Sequence, residues 1–258
     1  MWTGHVDVEG LKAIGWTDED IECYQKNGVS WNEECDELYI VPEENIALYH
    51  TLTAENISEY KDKIVYLPKI DTSHMTNMDG MFKSFKNLLA IPLLDTSNVT
   101  SMREMFSECE KLIHIPLLDT KNVTDMYYMF SGCDLETIPL LDTGKVTTMQ
   151  GMFSGASLLH TLPKLNTSNV TNMSSMFIGS HIETLPSLDT KKVTDMSFWL
   201  SYNSSITLIQ QIDMSSVTSA GDMFGNCSNL QHIKIKGLRT SLKLWSTSAH
   251  KRIIVIYD

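Results

Sequence analysis

The sequence predicts an α+β repeat solenoid: a leucine-rich-repeat-like parallel β stack with short outer helices or 3₁₀ turns, behind a small helical N-terminal head. Two observations carry the prediction. First, Asp71, Asp95, Asp119, Asp142, Asn166, Asp189 and Asp213 follow one another at intervals of 24, 24, 23, 24, 23 and 24 residues, so seven tandem units run from about Asp71 to Gly237. Second, apolar residues recur at fixed offsets from that Asp, giving D-T-S-x-V-T-x-M-x-x-M-F-x-x-C-x-x-L-x-x-I-P-x-L, nearly complete in Asp95 to Leu118. A 24-residue unit has no second layer of its own, so neighbours must stack to share one core.

Residues 1–60 do not repeat and read as an acidic helical head and cap. Asp7 precedes VEGLKAIG, with Gly15 as a stop, and Thr17 with Asp20 forms a capping box for a second helix that ends at Asn27-Gly28. Trp16, Ile21, Tyr24, Val29 and Trp31 supply a small aromatic core, and Pro42 opens a short helix through Ile46, Leu48 and Tyr49. Residues 61–258 form the solenoid domain. It starts with Ile64 to Ile70, which matches the last third of a unit. A basic cap at 234–258 closes it, ending in the apolar run Ile253 to Tyr257, read as a capping strand.

Within a unit, Asp, Thr and Ser at offsets 0–2 accept hydrogen bonds from N–H groups ahead of them. Offsets 7, 10, 11 and 14 carry the i, i+3, i+4, i+7 stripe of a short helix or 3₁₀ turn, ending near Gly132, Gly155 or Gly179 where glycine is present. The remainder, Leu112 to Leu118 for example, reads as one brief parallel strand. A proline column (Pro68, Pro92, Pro116, Pro139, Pro163, Pro186) belongs at its end or at a bend, because proline removes a ladder donor.

Composition narrows the function. The net charge of −12 argues against nucleic acid as a partner. Two helices in series at the head do not revive that reading, because residues 1–50 hold 12 acids against 2 bases. No window approaches 18 apolar residues, and the opening MWTGHVDVEG is acidic where an export signal is basic and then apolar. The expectation is therefore a chain that neither inserts in a membrane nor is addressed for export. No HExxH, GxSxG or GxxxxGK[ST] occurs and the eight histidines share no spacing, so an enzyme is not expected.

No cofactor or metal is expected either. The methionine columns, Met78 and Met81 in the first unit, suit core packing better than Cu(I) ligation. The acidic column suits backbone capping better than a calcium ladder, since Asn166 keeps the acceptor and drops the charge. The five cysteines match no zinc or disulfide framework and are read as free thiols. A bond between Cys109 and Cys133, one rung apart in the same column, is the alternative. The seven N-x-[ST] sequons are by-products of the repeat spelling.

The stretch DTSNVTSMREMFSECEKL and its copies resemble the BspA-like leucine-rich repeat proteins. That resemblance implies a right-handed parallel β solenoid with irregular or helical outer segments, used by surface proteins for adhesion. The Ile-Pro-x-Leu ending and the degenerate sixth unit, with Trp199, Leu200 and Asn203, depart from the family pattern. The head segment GLKAIGWTDEDIECYQKNGVSWNEE is similar to segments at the front of repeat proteins from gut Bacteroides and their phages, tail-associated ones included.

The expected function is non-catalytic recognition or assembly in a phage virion, at the tail or fibre, binding a host surface or other virion proteins. An exported bacterial surface adhesin for host protein or glycan is the alternative, and a cytoplasmic interaction scaffold the third reading. The absence of a signal or anchor in the given chain places the virion first. The expected partner-binding face comprises polar residues that vary between rungs: His114, Glu136, Thr137, His160, Thr161, Glu183, Thr184, Gln231 and His232. The −10 head and the +5 of residues 234–258 add the expectation of head-to-tail contact between copies.

Overall fold

The computed structural model describes residues 8–26, 51–238, 244 and 254–257. At the head, α1 (Val8–Ala13) stops at Gly15, whose φ of 92° no β-carbon-bearing residue adopts without strain. α2 (Asp18–Lys26) is held by the expected box: the Asp20 carboxylate accepts from the Thr17 N–H at 2.8 Å, and the Thr17 hydroxyl accepts from the Asp20 N–H at 3.2 Å. Leu11, Ile14, Trp16 and Ile21 are buried, but in one cluster with the solenoid core rather than in a core of their own. The expected ending at Asn27-Gly28, the helix opened by Pro42, and the parts of Val29 and Trp31 lie outside the described residues.

The seven units stack as parallel rungs. Isolated parallel bridges run through offset 6 in every rung, Asn77–Ser101–Asp125–Thr148–Asn172–Asp195–Ser219. Beside them, the backbone N–H of Thr100, Thr124, Thr147, Thr171, Thr194 and Thr218 each donates to the preceding threonine's carbonyl, and each hydroxyl donates to that same oxygen.

The apolar stripe at offsets 7–14 is not helical in any rung, which corrects the expectation of outer helices or 3₁₀ turns. Offsets 10, 12 and 14 donate to offsets 7, 9 and 11 of their own rung, as Met105 to Met102, Ser107 to Glu104 and Cys109 to Phe106. Offsets 7, 9, 11 and 13 donate to the next rung, as Met102 to Asp125, Glu104 to Tyr127, Phe106 to Met129 and Glu108 to Ser131. A helix spends every N–H beyond its first turn internally. Here alternate N–H groups serve tight turns and the ladder between rungs, so the segment is a chain of turns that also bonds its neighbours.

That geometry requires φ > 0 at the third residue of two turns per rung. Offset 9 (Gly80, Glu104, Tyr128, Gly151, Ser175, Phe198, Asp222) and offset 13 (Ser84, Glu108, Gly132, Gly155, Gly179, Tyr202, Asn226) are left-handed throughout. Gly151 is the position with least freedom, since a β-carbon there would lie 2.4 Å from the Tyr128 ring.

The expected strand also needs correction. Segments carrying the proline form no strand. The proline-free copies do: β1 (Leu208–Asp213), with Gln210 at the proline position, pairs in parallel with β2 (His232–Lys236), with Lys234 there. The strands form where proline is absent, and Gln210 itself falls at the register shift between Ile209 and Ile212. β3 (Ile254–Tyr257) adds in parallel to β2, as expected of a closing strand.

Methionine, phenylalanine and valine columns fill the interior. Phe82, Phe106, Phe130, Phe153 and Phe177 are fully buried and stack at 5.5–5.8 Å with ring planes within 18°. In the sixth rung Leu200 takes the phenylalanine column while Trp199 takes the methionine column, meeting Phe177 at 6.0 Å and Phe224 at 6.4 Å. The aromatic ladder thus shifts sideways by one column without a break.

Candidate functional site: a groove along the prolyl corner

The corner between the prolyl segment and the next Asp is built by side-chain hydrogen bonds. Each residue of the Asp column accepts from the N–H two residues on: Asp95 from Ser97 at 3.0 Å, Asp142 from Gly144 at 3.0 Å, and Asn166 from Ser168 at 3.2 Å by its amide oxygen. The buried threonines at offset 1 donate to the next rung's corner carbonyl, as Thr96 to Asp119 and Thr143 to Asn166. Hydrogen bonds from the following serines hold the Asp71, Asp95 and Asp213 carboxyls below their ordinary range, and the Lys121 ammonium does the same for Asp119. The acidic column is therefore corner scaffolding.

Between successive corners runs a groove of about 1070 Å³ across rungs three to seven, lined among others by Leu140, Lys164, Ser187, Asp189, Lys191, Gln211 and Lys236. The residue after the proline, or after Gln210 in its place, lines it in four rungs, as Leu140, Lys164, Ser187 and Gln211; Lys69, Leu93 and Leu117 hold the same position earlier in the stack. This is the x of P-x-L, a variable position that sequence reading passed over although its variation is the signal. Leu117 and Leu140 are adjacent in the column and 60% and 65% exposed.

The head shows which way this column's N–H groups point. The Lys69 N–H donates to the Ile14 carbonyl at 3.0 Å, and the Leu93 N–H donates to the Asp20 carboxylate at 2.7 Å. The Lys69 ammonium also binds Asp20 at 3.0 Å and 3.2 Å, and the Trp16 indole N–H donates to the Leu67 carbonyl at 2.7 Å. Burial alone would raise the Asp20 carboxyl, but the hydrogen bonds from Thr17, Lys69 and Leu93 outweigh it and the group sits below its ordinary range. In the next four rungs the N–H groups of Leu117, Leu140, Lys164 and Ser187 have no acceptor among the described residues.

A smaller cavity of about 320 Å³ adjoins the groove through Ser187, Leu188 and Gln211. It is lined by Pro186, Ile209 and the fully buried Trp199, whose indole N–H has no hydrogen-bond partner among the described residues.

Of the face expected from sequence, Glu136, Thr137, His160, Thr161, Glu183, Thr184, Gln231 and His232 are exposed, at the two positions ahead of the isoleucine or leucine that precedes the proline. His160 and Glu183, one rung apart, approach to 3.5 Å. His114 is the exception and does not belong to that exposed face. It is a core position, following buried Tyr66 and Ala90 in its column, and burial pushes its imidazole down to about 4. The cysteine column is likewise interior: Cys109, Cys133 and Cys227 are free and buried, donating to the carbonyls of Phe82, Phe106 and Leu200 at 3.0, 2.8 and 3.0 Å. Burial raises the Cys133 thiol well above its usual value and pushes Cys227 up to about 12.

The repeated corner, the turn ladder and the stacked phenylalanines define a repeat solenoid with parallel rungs. The chain belongs to the family described as Mycoplasma protein of unknown function, DUF285, whose profile matches residues 52–137 and again 133–238. That is a repeat family related to the BspA-like leucine-rich repeats. No curated protein matches the chain.

Proposed function

We propose that the protein is a non-catalytic recognition or assembly module that seats a partner along the prolyl groove. The observation that carries the reading is the column of N–H groups at Leu117, Leu140, Lys164 and Ser187 that have no acceptor among the described residues, continuing the line that the head already occupies at Lys69 and Leu93. Backbone donors in a groove recognise polar acceptors, and the two exposed leucines beside them add apolar area that a partner gains by covering. The variable side chains of this column give each rung its own preference on a common backbone, as solenoid surfaces do.

The setting proposed for this recognition is a phage virion, with the partner a host-surface molecule or another virion protein; the likeness of the head segment to phage-borne repeat proteins supports it. An exported surface adhesin is the alternative. The exposed His160–Glu183 face is a second candidate surface, favoured by rung-to-rung variation in its residues. The test is binding of the purified chain to purified particles and to host cells. Changing Leu117 and Leu140 together to Glu abolishes binding with the melting temperature unchanged. Retained binding in that variant, lost instead on replacing His160, Thr161 and Glu183 by Ala, moves the site to the other face. Recovery of the protein from washed outer membranes of uninfected cells replaces the virion by the adhesin.

A further inference from the structure

We infer that Lys164 and Ser187 form a second docking cradle for an acidic protein segment, equivalent to the one at Lys69 and Leu93 that holds Asp20. The inference rests on the recognition reading and names the chemistry of its partner. In the first cradle a lysine occupies the position after the proline, and the N–H at the same position one rung later completes the site. Both donate to one carboxylate oxygen of Asp20, at 3.0 Å and 2.7 Å.

The same pair recurs once more along the column. Lys164 follows Pro163, Ser187 follows Pro186, and the two are separated by one rung as Lys69 and Leu93 are. Both line the groove, both are exposed, and neither the Lys164 ammonium nor the Ser187 N–H has a partner among the described residues. Ser187 adds a hydroxyl that Leu93 lacks, giving a third donor. Asp142 and Asp189 line the same groove and each gives one oxygen to its own corner, to the N–H groups of Gly144 and Lys191, and neither is paired with the Lys164 ammonium among the described residues.

The Lys164 ammonium, the Ser187 N–H and the Ser187 hydroxyl are three donors, one of them a cation, on adjacent rungs of one groove and without an acceptor among the described residues, and a carboxylate is the group that satisfies them. The head defines the form of the occupant. Asp20 reaches its cradle as the third residue of a capped helix, with the Trp16 indole set four residues earlier on the Leu67 carbonyl. The occupant proposed at Lys164 is accordingly an acidic helix start carried by a partner protein.

The probe is an acetylated, amidated peptide of this chain's residues 14–22, IGWTDEDIE, titrated into the isotope-labelled full chain and followed by amide shifts. The expected result is saturable binding, with the largest shifts at Lys164 and Ser187. Affinity falls at least tenfold for Lys164→Glu in the chain and, separately, for Asp20→Asn in the peptide. The second variant leaves the folded chain untouched.

Absence of saturation at millimolar peptide overturns the inference, as does indifference to both substitutions. Shifts confined to Lys69 and Leu93 also overturn it, because the peptide then only exchanges with the resident head. Failure here together with loss of particle or cell binding in the Leu117 and Leu140 variant removes the cradle and leaves the groove as the recognition surface. Failure here together with retained particle or cell binding in that variant removes the groove.

Discussion

Replacing Phe130 by Ala tests the stacked core at its centre. The ring is fully buried between Phe106 at 5.7 Å and Phe153 at 5.8 Å, with planes tilted by 4° and 12°. The rungs on either side are pinned by backbone bonds, Phe106 to Met129 and Phe130 to Met152, both 3.0 Å, so the void has little means of collapsing. Truncation of a buried phenylalanine costs ~3–5 kcal/mol, and a site that does not relax belongs near the upper end. Phe130→Leu leaves a smaller void, about 1–2 kcal/mol.

The sixth rung supplies a sharper version of the same test. Trp199 and Leu200 stand where other rungs carry Met and Phe, so Met129→Trp combined with Phe130→Leu copies an arrangement the fold already accommodates. Met129→Trp alone overfills its column at about 1–3 kcal/mol. The double variant should be less destabilised than the two singles added, a coupling of at least about 1 kcal/mol. Equilibrium urea unfolding followed by circular dichroism measures the parent chain and the four variants. A Phe130→Ala loss under about 1 kcal/mol, or strict additivity in the double variant, refutes the account of the ladder.

The His114 imidazole, pushed down to about 4 by burial, stays neutral in the folded chain while its unfolded counterpart protonates near 6.5, so folding stability is full above about pH 6.5 and declines toward pH 4. The loss approaches roughly 3 kcal/mol, and His114→Phe should flatten that part of the stability profile measured by urea titration. Cys109, Cys133 and Cys227 should resist a thiol reagent at pH 8 until the chain unfolds, and Cys133→Ser should cost only about 1 kcal/mol because Ser180 fills the same column and donates to the Phe177 carbonyl at 2.9 Å; rapid native labelling at these three sites contradicts the packing. The depressed Asp20 carboxyl gives head docking that is complete above about pH 4 and lost as the pH falls below the ordinary carboxylate range, visible as faster amide exchange in α1 and α2, and Asp20→Asn should show that exchange already at neutral pH.

Much of this molecule is legible in the sequence because a 24-residue repeat reports each buried position seven times. The period, the methionine and phenylalanine columns, the Asp corner, the Thr17–Asp20 box and the closing strand follow from residue type and spacing, since burial and short-range capping depend on little else. Even the alternative spelling at Asn166 identified the corner as a hydrogen-bond acceptor. Only the tertiary structure decided whether the 7, 10, 11, 14 stripe was helical, because a helix and a chain of turns bury the same offsets. They differ in where alternate N–H groups go, and half of those acceptors lie on the next rung. Glycines at offsets 9 and 13 carried that information, and those at offset 13 resembled helix stops when read one rung at a time. His114 turned inward because its column is filled by Tyr66 and Ala90 in the rungs before it. The groove was invisible for a related reason: the direction of the N–H after each proline is fixed by the stack. Its use as a donor appears only where the head brings Ile14 and Asp20 back, some fifty to seventy residues along the chain, to meet Lys69 and Leu93.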